Sequence, residues 1–236
     1  MPLDYYVWAI VNGERTVLVD TGFDQEAARR RGRQIVRPVA EGLAAIGISA
    51  ERIEHIVISH MHYDHAGNHK LFPRARYHLQ DAEMAYCTSR CMADREVGSV
   101  FDATAVTAMV DKVFAGHVQF HDGDEEIAPG ISLHKVGGHT RGMQIVRVAT
   151  ARGWVVLGSD TAHFYANLEP GRPFPILDSL PAYVEAQRAA LRLASSPQHF
   201  VPGHDPLVLA RYPRARVGLE GVARLDLEPA RQGTAQ

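Results

Sequence analysis

The feature that most constrains this sequence is a run of metal-binding side chains directly after a short apolar stretch. Residues 56–58 (Ile-Val-Ile) are β-branched and predict a buried strand. The chain then supplies four metal-binding side chains within six residues: His60, His62, Asp64 and His65. A strand ending at Ser59 would deliver all four into one loop at its C-terminal edge. Because a loop has no packing reason to concentrate three histidines and a carboxylate, the cluster predicts part of a metal site.

The composition is that of an ordinary folded protein. The 236 residues are 46% hydrophobic and 22% charged, which is enough for a sizeable core in one large domain or two small ones. The net charge of −2 gives no bulk attraction to nucleic acid or anionic lipid. No stretch approaches the roughly 20 apolar residues of a membrane span. We therefore predict neither nucleic acid nor membrane as a partner.

The cysteine content indicates the cellular compartment. The two cysteines, Cys87 and Cys91, are too few for a disulfide framework. On a helix they would lie four residues apart on one face, where disulfide geometry is awkward, so we expect reduced thiols. The N-terminus also lacks a basic segment followed by an apolar stretch. These observations predict a cytoplasmic protein.

The order of predicted elements indicates two similar α/β halves that face each other. Asn12-Gly13 predicts a hairpin, and breaks are expected at Gly32 and Pro38 within an otherwise helical stretch. Asp81 could cap a helix. Strands are predicted over 5–11, 15–20, 56–58, 75–79, 118–120, 131–136, 143–149, 154–158 and 199–201, and helices over 24–47, 81–90 and 180–194.

Three further segments are harder to interpret. Residues 92–116 are rich in alanine and valine with few turn signals, and we expect them to form a substrate-covering insertion. Residues 211–236 are rich in Arg, Pro, Glu and Gly and are expected to fray as a tail. The arginines at 29–31 are expected to form a solvated face.

Three later residues share the placement of the first cluster. His139, Asp160 and His204 each follow a short apolar strand and have small residues beside them. With the first cluster they give five histidines and two carboxylates, enough for two divalent ions with one carboxylate bridging. Imidazole ligands suit zinc, which is expected first, and because no thiolate is present, iron, cobalt and manganese stay open as alternatives. Asp20, at the end of a strand, predicts either a partner for a ligand histidine or a strand cap.

These motifs resemble the metallo-β-lactamase superfamily and, within it, the N-acyl homoserine lactone lactonases. The resemblance spans roughly residues 5–208 and also includes Asp20-Thr21-Gly22. It implies an α/β fold in one domain over 1–236, a four-layer αβ/βα sandwich with two mixed β-sheets packed face to face and helices outside. It also implies the metal ligands: His60, His62 and His139 for one ion, Asp64, His65 and His204 for the other, and Asp160 between them.

The resemblance narrows the reaction. Dizinc β-lactamases carry Cys at the position of Asp160, and flavin-linked diiron relatives carry an acid at that of His62, so both are disfavoured. The expected enzyme is a hydrolase that opens a lactone or similar small cyclic ester by attack of a hydroxide bridging two metal ions, with Asp64 or Asp160 relaying a proton. Three alternatives stay open: a glyoxalase II-type thioesterase, another small ester or amide hydrolase, and a non-catalytic metal sensor. The protein could also form a homodimer.

One departure concerns the substrate. Many lactonases of this branch carry Tyr three residues after the bridging Asp, where this chain has His163. His163 could donate to the substrate carbonyl, or it could lie at the rim while Tyr165 reaches in. Tyr63, within the motif, predicts either a wall of the substrate pocket or a packing residue.

Overall fold

The computed structural model describes residues 2–13 and 15–230, and its strands form two five-stranded sheets. The first sheet contains, in spatial order, β1 (Trp8–Val11), β2 (Thr16–Val19), β3 (His55–Val57), β4 (Arg76–Gln80) and β5 (Val118–His121). Strand β1 is antiparallel to β2, and the other neighbours are parallel.

The second sheet contains β6 (Glu125–Ala128), β7 (Ile131–Lys135), β8 (Gln144–Thr150), β9 (Gly153–Ser159) and β10 (Phe200–Pro202), in the spatial order β10-β9-β8-β7-β6. Here β10 is parallel to β9, and the other neighbours are antiparallel. The helices are α1 (Gln25–Arg31), α2 (Val39–Ala45), α3 (Asp81–Cys87), α4 (Arg95–Gly98), α5 (Ala103–Phe114), α6 (Leu180–Leu193) and α7 (Leu207–Arg211).

Alternating side chains give each sheet two apolar faces. In the first sheet, Val17 and Val19 face the second sheet, whereas Leu18 faces the helices on the other side. The core between the sheets includes Val57, Leu133, Val146, Leu157 and Val201. The outer face of the first sheet packs on Leu43, Tyr86 and Met109 of α2, α3 and α5, and that of the second on Ala190 of α6. The predicted sandwich with helices outside is confirmed.

Local sequence signals fix several connections. Asn12 donates from its backbone N–H to the carbonyl of Arg15 at 3.2 Å, which closes the β1–β2 hairpin. Asp24 caps α1 by accepting from the amide of Ala27, and Gly32 ends that helix with a left-handed φ of 61°. Pro38 precedes α2. The predicted breaks at Gly32 and Pro38 are confirmed.

Other local predictions are corrected. Strand β5 pairs in parallel with β4 and so belongs to the first sheet, not to the later run of strands. Strand β6 was not predicted. Asp81 is the first residue of α3 and does not cap it, because the N-cap is Gln80. Cys87 and Cys91 are both free, as predicted, but only Cys87 lies in α3.

The structure differs from the expectations for residues 92–116, the C-terminal segment and the arginines at 29–31. Helix α5 carries about half of 92–116 and packs behind the first sheet through Met109, so only the part before it borders the histidine cluster. In the tail, Tyr212 and Leu219 are buried, which corrects the expected fraying for 211–230, while 231–236 lie outside the described residues. Arg31 is tied to backbone carbonyls and is not simply solvated. Within 2–13 and 15–230, no helix has the length and apolar character needed to cross a membrane.

Candidate metal centre

The predicted ligands come from loops that follow strands of both sheets. The loop after β3 carries His60 to His65, and the amide of Ile58 still bonds the carbonyl of His78 in the neighbouring strand. Asp160 directly follows β9, and His204 follows β10. The parallel pairing of β9 with β10 brings these two loops together. A Cβ on Gly203 would lie 2.4 Å from Asp160 Oδ1, so this close approach requires glycine there.

The two carboxylate oxygens of Asp160 face different histidines. Oδ2 lies 3.2 Å from His139 Nε2 and 3.8 Å from His60 Nε2. Oδ1 lies 3.0 Å from His204 Nε2 and 3.5 Å from His65 Nε2. Asp160 therefore stands between two groups of imidazoles, as expected of a carboxylate shared by two metal ions.

The remaining predicted ligands complete the two groups. His62 Nδ1 lies 3.0 Å from His139 Nε2, on the Oδ2 side of Asp160. Asp64 Oδ2 lies 3.7 Å from His65 Nε2 and 3.8 Å from His204 Nε2, on the other side. Within each group, all donor atoms lie within 4.8 Å of one another: His60, His62, His139 and Asp160 in the first, and Asp64, His65 and His204 in the second.

Unsatisfied polar atoms show that this donor set fits metal ions. Within the described residues, His60 Nε2, His65 Nε2 and Asp160 Oδ1 are buried without a hydrogen-bond partner. Buried polar atoms are rarely left unpaired, because the loss of water costs about 1–3 kcal/mol for each. All three atoms face the centre of the cluster. Imidazole nitrogens with a carboxylate are ligands that zinc and other borderline divalent ions accept.

Contacts on the far side of each ring orient the imidazoles. Nδ1 of His65 lies 2.8 Å from Asp20 Oδ2, Nδ1 of His139 lies 2.8 Å from the carbonyl of Ile176, and Nδ1 of His204 lies 2.7 Å from the carbonyl of Asp4. Each acceptor fixes the proton on Nδ1 and leaves Nε2 free for a metal. Of the two roles predicted for Asp20, the geometry supports the partner of a ligand histidine.

Burial and neighbouring charge determine the protonation of the cluster. Burial lowers the pKa of His60 and His62 well below its ordinary value, and the surrounding histidines lower it further, so both rings are neutral. Burial alone would raise the pKa of Asp160, but His163, His204 and His65 hold that carboxyl well below its usual range. For His60, His62 and Asp160 these are the forms that bind metal, whereas, despite burial, Asp160 and Asp64 raise the pKa of His65 and His204, so an ion bound there would displace protons.

His163 is buried inside the cluster and not at its rim. The residue is 4% exposed, and its Nε2 lies 3.1 Å from Asp160 Oδ2. Burial lowers the pKa of His163 to about 3, although Asp160 opposes this. The side chain of Tyr165 is placed elsewhere, in the apolar core, with the guanidinium of Arg211 4.0 Å from its ring centroid. The alternative in which Tyr165 reaches into the site is therefore not supported.

Tyr63 packs in an aromatic group beside the cluster. Its hydroxyl donates to that of Tyr5 at 3.1 Å, and its ring centroid lies 5.5 Å from that of Phe23. The guanidinium of Arg31 lies 3.9 Å from the ring centroid of Tyr63. Because Tyr5 also contacts His204 with ring centroids 5.5 Å apart, this group lies against the second set of donors. Tyr63 is thus both a packing residue and a neighbour of the site.

Glu83 supports the site but was not found from the sequence. Its carboxylate accepts from the amide of Met61 at 2.8 Å, the hydroxyl of Thr140 at 2.6 Å and the amide of Gly142 at 3.0 Å. It thus joins the loop of His60 and His62 to that of His139. Burial raises the pKa of Glu83, and these three hydrogen bonds oppose the increase. A Cβ on Gly142 would lie 2.0 Å from the Glu83 amide nitrogen.

Phe101 and Phe174 were also not found from the sequence. The ring of Phe101 contacts that of His62, with centroids 4.6 Å apart, and that of Phe174 contacts His163. Both are ordinary apolar residues in irregular segments that no local motif connects to the histidines. Only the tertiary structure shows that they cover the cluster.

Comparison with known proteins agrees with this geometry. The profile of the Metallo-beta-lactamase superfamily matches residues 2–204. The N-acyl homoserine lactonase of a Bacillus species is 27% identical over 194 residues, covering 75% of this chain and 72% of the relative. That of Bacillus cereus is 25% identical over 192 residues, covering 75% of this chain and 71% of the relative.

Solved structures show the same fold. A quorum-quenching N-acyl homoserine lactone lactonase superposes with a TM-score of 0.72 at 21% identity, over 87% of this chain and 81% of that one. AidC, described as a dizinc quorum-quenching lactonase, gives 0.65 at 17% identity, over 85% and 72% of the two chains. The predicted resemblance is confirmed, and with it a metal-dependent hydrolase. The chain belongs to the metallo-beta-lactamase superfamily.

Proposed function

We propose that this protein is a dinuclear metal-dependent hydrolase that opens the ring of an N-acyl homoserine lactone or a similar small cyclic ester. The observation that carries the dinuclear part is the position of Asp160, whose two oxygens face two separate groups of histidines. The lactone part is supported by relatives named N-acyl homoserine lactonases.

We assign the proposed ligands to two ions according to the two groups of donor atoms. His60, His62 and His139 would hold one ion, Asp64, His65 and His204 the other, and Asp160 both. Divalent ions bound there would lower the pKa of a water molecule toward about 7 and polarise a carbonyl oxygen. Zinc remains the first expectation, because imidazole and carboxylate groups are its usual ligands in catalytic sites.

His163 would stabilise the charge that develops on the substrate carbonyl oxygen. Its low pKa keeps the ring neutral at physiological pH, and a neutral imidazole carries one N–H to donate. Nε2 lies 3.1 Å from Asp160 Oδ2, beside the reacting region, and its N–H would become free for the substrate oxygen once that carboxylate binds metal. A donor held in a water-poor site stabilises an oxyanion more than water does.

A carboxylate would return the proton that the leaving alkoxide needs. Asp64 is the most exposed of the proposed ligands, with 11% of its side chain accessible. Asp64 and Asp160 both lie where an attacking oxygen could transfer its proton, and either could pass it on. On the same side, the rings of Tyr5, Phe23 and Tyr63 offer an apolar wall for the substrate.

Hydrolysis of a substrate panel by metal-loaded protein tests this function. The panel contains butanoyl and decanoyl homoserine lactones, an unsubstituted lactone and a glutathione thioester. We expect ring opening of the homoserine lactones that disappears when the metal is removed. Thioester hydrolysis without lactone opening would favour the glyoxalase II-type alternative. No turnover of any substrate, with two ions bound, would favour a sensor.

His163→Ala tests the proposed donor separately. We expect kcat to fall about 10²-fold while the metal content stays unchanged, as when one oxyanion donor is removed. An equal loss of metal and activity would instead make His163 a ligand. A cytoplasmic location and a homodimer stay predictions from the sequence.

A further inference from the structure

A short irregular segment, residues 170–177, covers the candidate site from the side of α6, and we call it the covering loop. Its residues are exposed except for Phe174 and Leu177, which are half-buried. The ring of Phe174 lies parallel to that of His163, with centroids 3.3 Å apart and an interplanar angle of 9°. One face of the proposed oxyanion donor is therefore occupied by an aromatic side chain of this loop.

The cluster beneath the covering loop is almost closed. His139 is 3% exposed, Asp160 2% and His163 4%. A substrate carbonyl must come within hydrogen-bonding distance of His163 to use it as a donor. In the arrangement observed, the Phe174 ring fills the space against the imidazole face. Part of the cover must move before a substrate can bind there.

The two aromatic covers differ in how firmly they are held. Phe101 forms a β-bridge with His62, and its carbonyl accepts from Arg31 at 2.7 Å. The neighbouring carbonyl of Val100 accepts from the Tyr63 amide at 3.0 Å. These bonds fix Phe101 to the same loop that carries the ligands. We therefore expect Phe101 to stay in place when substrate binds.

The covering loop is attached near its ends. The side-chain amide of Asn167 donates to the carbonyl of Arg172 at 2.8 Å, and His139 Nδ1 lies 2.8 Å from the carbonyl of Ile176. Between these points, Pro173 and Pro175 have no amide N–H to donate. The stack of Phe174 on His163 thus holds the middle of the loop. An apolar group of a ligand can replace that contact.

From this arrangement we propose that Phe174 sets the size of the acyl group that the site accepts. An imidazole N–H donates in the plane of its ring, so a ligand at His163 lies along the edge of the stacked Phe174 ring. That ring must shift to admit the ligand, and it limits the bulk beside the scissile carbonyl. A short acyl chain needs little displacement, whereas a long one needs more. This inference rests on the proposed lactone hydrolysis and adds a specificity residue to it.

The first test compares kcat/KM for decanoyl and butanoyl homoserine lactones in metal-loaded Phe174→Ala, Phe174→Trp and the parent protein. The ratio of decanoyl to butanoyl should rise about tenfold in Phe174→Ala, the scale of an apolar pocket that gains room, and fall in Phe174→Trp. Arg172→Ala is the matched control, because Arg172 is an exposed residue of the same loop that pairs only with Glu169 among the described residues. It should leave the ratio unchanged.

A structural role for Phe174 would give a different result. If the ring only stabilises the loop, Phe174→Ala would lower kcat/KM equally for both lactones and leave the ratio unchanged. That outcome would overturn the proposal. Metal content and the thermal midpoint are measured for each variant, so that a loss of folding or metal is separated from a change in specificity.

A second test does not depend on lactone turnover. The cobalt-loaded protein is titrated with acetate and with decanoate, and binding is followed by the visible absorption of cobalt. Phe174→Ala should tighten binding of decanoate relative to acetate, again by about tenfold. If lactones are not hydrolysed but this shift occurs, the proposed substrate is wrong and the role of Phe174 holds. If lactones are hydrolysed but neither ratio changes, the role of Phe174 is wrong.

Discussion

The Asp20 carboxylate lies against the imidazole of His65, with Oδ2 2.8 Å from Nδ1, and both side chains are buried. The other oxygen accepts from the amide of Ser59 at 2.7 Å. The end of β2 therefore orients a proposed ligand that the loop after β3 supplies. Asp20 also adopts a left-handed φ of 61°, which directs its side chain away from the continuation of the strand.

Asp20→Asn tests this orientation. Asparagine tolerates a positive φ, so the backbone should be unchanged, but the charge that favours the Nδ1–H form of His65 is lost. We expect metal affinity to fall about 10- to 100-fold, measured by competition with a chromophoric chelator. Asp122→Asn is the control, since Asp122 pairs with Lys135 at the surface. Equal affinity in both variants would mean that Asp20 does not support the site.

Glu83→Gln tests the connection between the two ligand loops. All three groups that bond Glu83 are donors, and a glutamine amide can accept through only one of its two ends. At least one buried donor then loses its acceptor, at a cost of about 1–3 kcal/mol in the free energy of unfolding. Urea unfolding at pH 7 measures the loss, with Glu26→Gln at the surface as control. An unchanged midpoint for Glu83→Gln would contradict this role.

A chain of histidines away from the metal centre predicts how stability depends on pH. His78 lies between two others, with Nε2 3.1 Å from His55 Nδ1 and Nδ1 3.0 Å from His121 Nε2, and the chain ends at Glu125. Burial, together with the neighbouring His121 and His55, lowers the pKa of His78 to about 3. In the unfolded chain that pKa is about 6.5.

The direction in which stability changes with pH follows from proton binding at His78. Between pH 6.5 and 3 the unfolded state binds a proton at His78 that the folded state does not, so stability is full above about 6.5 and decreases as the pH falls. The contribution of this one group has a slope of at most about 1.4 kcal/mol per pH unit. We expect the free energy of unfolding of His78→Gln to vary less with pH than that of the parent protein. Urea unfolding at pH 5 to 8 measures both, and the difference between the two proteins at pH 8 is subtracted before they are compared. Parallel curves would contradict the prediction.

The sequence predicted the metal centre better than the substrate site, for a physical reason. Metal ligands follow strands, and strand ends are marked locally by β-branched runs and glycines, as beside His139 and His204. Glu83 and Phe174 carry no such mark. Glu83 lies in a helix of ordinary composition, 57 residues from its partner Thr140, and Phe174 reaches His163 from an irregular loop.

The arrangement of the strands could also be predicted only in part from the sequence. The acidic start of β6, Glu125-Glu126, does not alternate with apolar residues, and so it gave no strand signal. Strand β5 was recognised as a strand but assigned to the wrong sheet, because a short apolar run does not encode which neighbour it pairs with. Pairing with β4 depends on long-range packing, including that of α5.

The central claim is that Asp160 joins two metal sites in a lactone hydrolase. The most direct measurement counts metal ions per chain in the parent protein and in Asp160→Asn, together with the rate of homoserine lactone opening. We predict two ions and lactone turnover in the parent, and in Asp160→Asn fewer than two ions with a rate at least about 10²-fold lower. Two retained ions with full turnover in Asp160→Asn, or full turnover by the metal-free parent, would contradict the claim.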